Sequence, residues 1–126
     1  MKTTSYEISK QLLEAGFKAK AEFYWAKWNE GDPELVHAKD GTPSLIEKVL
    51  AWDFETILKA LPKQHDFSRG IGMYELRIWY HEGKAFIGYQ NFDGFDKVMT
   101  LEQEQNESLA DIAARLWLRL KANEII

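Results

Sequence analysis

The chain has 126 residues and a mass of 14.7 kDa, which is enough for one compact domain but not for two separately filled cores. Apolar residues make up 45% and charged residues 29% of the sequence, a balance typical of globular domains and not of disordered chains. The formal net charge of −4 provides no general attraction to nucleic acid or to anionic lipid. We therefore expect a single domain spanning residues 1–126.

The lack of cysteine excludes disulfides, thiolate metal sites and a cysteine nucleophile. Nothing in the composition requires an oxidising compartment. The first residues lack the apolar run of a secretory signal, and no segment approaches the roughly 20 apolar residues that span a bilayer. We expect a cytoplasmic protein without a membrane partner.

The N-terminal third begins with a helix signal. Ile8 and Leu12 recur at helical spacing between Ser5, a good N-cap, and Gly16, a good C-terminal stop. This pattern predicts a helix over residues 5–15.

A hairpin and a second helix are expected next. Aromatic strand formers at 21–28, turn residues at 29–33 and apolar residues at 35–38 predict the hairpin. The apolar run at 45–50 is too short for periodicity to decide between strand and helix. An aspartate N-cap and a following proline predict a short helix over 53–61.

The clearest supersecondary signal follows a polar connector at 63–72. Residues 73–80 and 84–91 both alternate, and Glu82-Gly83 can form a two-residue turn. The turn sets the register, which pairs Tyr80 with Ala85, Ile78 with Ile87 and Leu76 with Tyr89 on one face, and Trp79 with Phe86 and Glu75 with Gln90 on the other.

The chain is expected to close with a strand at 97–101 and a helix at 108–123. Ser108 and Asp111 approximate a capping box. A single apolar stripe then runs along the helix, formed by Leu109, Ile112, Ala113, Leu116 and Leu120.

Together these elements predict an α+β fold, an antiparallel sheet of four to five strands with two to three helices packed on one face. The opposite sheet face must then meet water or a partner. We take its aromatic centre with a polar rim as the candidate interface, formed by Trp79, Phe86, Arg77, Glu75 and Gln90.

The sequence carries no motif typical of catalysis or of cofactor binding. Gly70-Ile71-Gly72 precedes a strand, whereas phosphate-binding loops follow a strand and open a helix. The three histidines lack paired ligand spacing, so a metal site would need the fold to gather His37, His65 and His81 with Asp40 or Asp66. Surface histidines are the favoured interpretation, and no catalytic, cofactor or metal residue is predicted.

Residues 17–28 interleave bases and aromatics, the composition of a platform that stacks single-stranded nucleic acid. Lys18, Lys20 and Lys27 are too few to neutralise many phosphates. We favour an ordinary strand with one core face, and keep weak nucleic-acid binding as the alternative function.

The segment 107–118, Glu-Ser-Leu-Ala-Asp-Ile-Ala-Ala-Arg-Leu-Trp-Leu, resembles the closing helix of small uncharacterised bacteriophage and prophage proteins. The resemblance extends to Leu12-Leu13-Glu14-Ala15-Gly16 and to Leu61-Pro62. It implies a shared fold and a phage or prophage origin, and transfers no catalytic residue. With the aromatic face, it leads us to expect a non-enzymatic accessory protein that self-associates as a homodimer or binds a protein partner.

Overall fold

The computed structural model describes residues 3–28, 30–39, 47–67, 73–91 and 96–126. Within them lie three helices, α1 (Tyr6–Glu14), α2 (Phe54–Ala60) and α3 (Leu109–Ala122). The strands are β1 (Phe23–Lys27), β2 (Glu34–His37), β3 (Glu47–Ala51), β4 (Gln64–His65), β5 (Tyr74–His81), β6 (Lys84–Asn91) and β7 (Lys97–Glu102).

The described strands form two antiparallel sheets, ordered β2-β1-β3 and β4-β5-β6-β7. The expected α+β class, with helices packed against sheets, is confirmed. The second sheet has four antiparallel strands, within the expected number of four to five. The strands β1, β2 and β3 form a separate sheet of three, because β3 pairs with β1 and then leads directly into α2.

The predicted helices are confirmed together with their N-caps, whose side chains accept backbone hydrogen bonds from the first turn. These N-cap residues are Ser5, Asp53 and Ser108. In the undecided run at 45–50, residues 47–50 belong to β3, and 45 and 46 lie outside the described residues. The polar connector contains β4, which pairs with β5, while 68–72 also lie outside the described residues.

The β5–β6 register is the predicted one, from His81 opposite Lys84 to Glu75 opposite Gln90. Glu82 and Gly83 have φ angles of 50° and 79°, which are the two left-handed positions of a type I′ turn. This turn matches the right-handed twist of the strands and so holds the register.

A hydrophobic core joins the three helices to the inner face of the second sheet. Leu12, Ile57, Ile87 and Leu116 are each at most 1% exposed. Tyr89 is fully buried there, and its hydroxyl donates a hydrogen bond to the carbonyl of Pro62 at 2.7 Å. Burial raises the pKa of this phenol to about 12.

Three aromatic rings pack together in the core. The Phe17 ring lies edge-to-face with Trp52 at 4.9 Å and with Trp117 at 5.0 Å between centroids. Such pairs stabilise a core beyond the area that they bury. Phe17 is therefore a core residue.

A β-bulge lies in β7 opposite Gly88. Ile87 pairs with Leu101 and Tyr89 pairs with Val98, so two residues of β7 face one of β6. Met99, one of the two, has a φ of 56°, and a Cβ built on Gly88 would lie 2.8 Å from the Cα of Thr100. The missing side chain at Gly88 thus permits the close approach that the bulge needs.

Candidate functional site

The outer face of the second sheet points away from the core. Strand alternation and the pairing registers place on this face Glu75, Arg77, Trp79, His81, Lys84, Phe86, Gln90, Lys97 and Glu102. None of these side chains belongs to the core cluster of the described residues. All five residues of the predicted interface therefore share one face.

The centre of the outer face is a pair of stacked rings. Trp79 and Phe86 lie 5.7 Å apart between centroids, with 8° between their planes. The Nζ atom of Lys97 lies 5.1 Å from the Trp79 centroid, within cation–π range. Both rings are half-buried, because they cover each other and because the lysine covers the indole.

Charged pairs surround the rings. Arg77 binds Glu75 at 2.7 Å, and Lys84 binds Glu102 at 3.1 Å. All four side chains are between 38% and 60% exposed, so water screens these pairs and each adds little to folding stability. Their greater consequence is that charges of both signs alternate across the outer face.

A shallow groove of about 420 Å³ lies at one end of this face, lined by Trp79, Tyr80, His81, Phe86 and Lys97. Tyr80 is 64% exposed, the largest value among the large hydrophobic residues of the described chain. Strand alternation places Tyr80 on the inner face, on the same side as Ile78. Tyr80 is exposed because it stands at the strand end, next to the turn.

Sequence reasoning missed two contributors to this site, Lys97 and Tyr80. Lys97 reaches the face through the β6–β7 register, which the bulge shifts. Gly88 in β6, opposite the bulge, was the available signal, since a glycine within a strand often marks one.

The interleaved segment 17–28 does not form a row of stacking rings. Phe17 and Tyr24 are buried, and Trp25 donates its Nε1–H to the carbonyl of Thr4 at 3.0 Å. The central strand β1 buries Tyr24 and Ala26 and leaves Trp25 half-buried. Lys18 and Lys20 are exposed.

The three histidines lie on different strands. His37 ends β2, His65 ends β4 and His81 ends β5. Among the described residues no group of three or more His, Cys, Asp or Glu side chains could hold a metal ion. Asp40, one of the two aspartates that the sequence offers as partners of the histidines, lies outside the described residues.

Comparison of the chain with protein-family models, with curated proteins and with solved structures gives no match. Among the described helices, none combines the length and apolar character that crossing a bilayer requires.

Proposed function

We propose that this chain is an interaction protein that works through protein contacts and self-associates as a homodimer through its outer face. The observation that supports this proposal is the stacked pair Trp79–Phe86, on a sheet face whose side chains lie outside the core cluster. Aromatic side chains within a polar rim are the usual composition of protein interfaces. As the phage resemblance implies, we assign it an accessory role in a phage or prophage, in the cytoplasm.

Charge supports a second copy of the chain as the occupant. Arg77, Lys84 and Lys97 share the outer face with Glu75 and Glu102. A two-fold axis brings the same face of two copies together, so a surface with both signs can meet its opposite charges in its own copy. A strongly basic partner would be repelled by three of these five charges, and a strongly acidic partner by two of them.

The geometry of the β7 edge disfavours sheet extension. This edge of the second sheet is interrupted by the bulge at Met99. Bulges discourage pairing with a strand of another chain. Face-to-face contact through the outer face does not need a strand edge.

Sedimentation equilibrium at micromolar concentration tests the proposal. We expect a species near twice 14.7 kDa. The variant Trp79→Ala should weaken dimerisation by about 2 kcal/mol, or about 30-fold in Kd, because buried aromatic anchors dominate interface energies.

Trp28→Ala is the matched control, since Trp28 is 38% exposed and follows β1 in the other sheet. It should leave the dimer intact. Circular dichroism of each variant separates lost association from lost folding. A wild-type chain that stays monomeric at every accessible concentration, or equal losses in the two variants, would overturn the proposal.

A further inference from the structure

A second groove lies at the end of the first sheet, apart from the outer face. It has a volume of about 360 Å³ and is lined by Lys20, Ala21, Glu22, His37, Ala38 and Lys39. It lies beyond Phe23 and His37, the end pair of β1 and β2. Residues 20–22 precede Phe23, and residues 38 and 39 follow His37. Residues 20–22 form one wall and residues 37–39 the other. The N–H of Ala38 donates to the carbonyl of Glu22 at 2.7 Å and so joins the two walls.

The imidazole of His37 is held in a defined orientation in this groove. The backbone N–H of Lys39 donates to its Nδ1 at 3.1 Å, so the neutral ring carries its proton on Nε2. The ring of Phe23 packs edge-to-face against it at 5.0 Å. His37 therefore has a fixed ring whose remaining polar group is a donor.

The groove also carries two exposed lysines, Lys20 and Lys39. Within the described residues neither forms an ion pair, whereas Arg77 and Lys84 do. Among the described residues, Glu22 is the one carboxylate that lines the groove. These lining residues therefore carry two ammonium groups and one carboxylate, in a chain whose net charge is −4.

We propose that this groove binds the phosphoryl group of a small molecule. Lysine ammonium groups act as point charges for phosphate, and a neutral imidazole N–H adds a directional hydrogen bond. The carboxylate of Glu22 lies in the same lining and repels a phosphoryl group, which limits the affinity. This site is independent of the homodimer, since it involves no residue of the outer face.

Titration with inorganic pyrophosphate, followed by NMR of backbone amides and histidine rings, tests the site. Signals of His37 and Lys39 should shift on binding, while the rings of His65 and His81 serve as internal references. Removing one lysine charge should raise Kd about two- to fivefold, the range of exposed charge pairs. The double variant K20A/K39A should therefore raise it about tenfold.

Two further variants make the outcome decisive. Glu22→Gln should lower Kd about two- to fivefold, a gain that misfolding cannot imitate. K59A/K63A, which removes two exposed lysines elsewhere, should leave Kd unchanged.

Three results would overturn the proposal. One is equal shifts in all three histidines, and another is unchanged affinity in Glu22→Gln. The third is a decathymidylate that binds more tightly than pyrophosphate through the same lysines, which would assign the groove to nucleic acid.

Discussion

The carboxylate of Asp111 accepts a hydrogen bond from the backbone N–H of Ser5 at 2.7 Å, although 106 positions separate the two residues. Ser5 caps α1, and Asp111 lies in the first turn of α3, where its own N–H donates to Ser108. The expected capping box is thus only half formed, because the acidic side chain binds another helix instead of the Ser108 N–H. Asp111 therefore joins the N-termini of two helices.

The first prediction concerns this contact and pH. Asp111 is 9% exposed, and desolvation raises the pKa of its carboxyl from 3.8, outweighing the bond from Ser5. A carboxyl whose pKa is raised in the folded state stabilises the fold most below pH 3.8, and this contribution is lost as pH rises through the folded pKa. Denaturant unfolding of the wild type and of Asp111→Asn between pH 3.5 and 7 tests this. As pH rises, the unfolding free energy of the wild type should fall relative to that of Asp111→Asn.

Asp111→Ala is the companion variant. It removes the acceptor for the Ser5 N–H, and should cost about 1–3 kcal/mol of unfolding free energy across the whole range. Parallel pH profiles for the wild type and Asp111→Asn would contradict the assignment of this pH dependence to Asp111.

The second prediction concerns the C-terminal helix. Leu116 is fully buried against the core, while Arg119, one turn later, is exposed. Leu116→Ala should cost about 2–5 kcal/mol and lower Tm by about 10 °C or more. Arg119→Ala should leave Tm nearly unchanged. Equal melting temperatures for wild type and Leu116→Ala would mean that α3 does not close the core.

The third prediction concerns the bulge in β7. The Cβ added by Gly88→Ala would meet the Thr100 Cα at 2.8 Å and its Oγ1 at 3.0 Å. We expect a loss of about 1–3 kcal/mol in unfolding free energy, measured by urea denaturation. The double variant G88A/T100A should remain destabilised, because the closest atom belongs to the backbone. Full recovery in the double variant would show that the threonine side chain alone sets the spacing.

The fourth prediction is a stabilising change in the hairpin turn. Glu82 has a φ of 50°, its side chain is 84% exposed, and its Oε1 lies 3.8 Å from the Nε2 of His81. Asparagine adopts the left-handed conformation more readily and precedes glycine in the preferred type I′ turn. Glu82→Asn should add about 0.5–1 kcal/mol to the unfolding free energy. Glu82→Val should lower it, since a β-branched residue resists this conformation.

Local rules were sufficient where neighbouring residues decide the structure. The Glu82-Gly83 turn and the alternation around it predicted every pair of the β5–β6 hairpin, and with it the face shared by Trp79 and Phe86. Ser5, Asp53 and Ser108 located the helix starts, because an N-cap acts within three residues. In these regions periodicity and capping depend only on short separations along the chain.

Tertiary structure decided what depends on distant segments. The apolar run before Trp52 became a strand because β1 was available to pair with it, and that pairing separated the two sheets. The Asp111 carboxylate accepts from the Ser5 N–H instead of the Ser108 N–H because α3 packs beside α1, which brings Ser5 within reach. Lys97 covers Trp79 because the bulge opposite Gly88 sets its register. In each case the partner lies far along the chain, and the packing of apolar surfaces selects it.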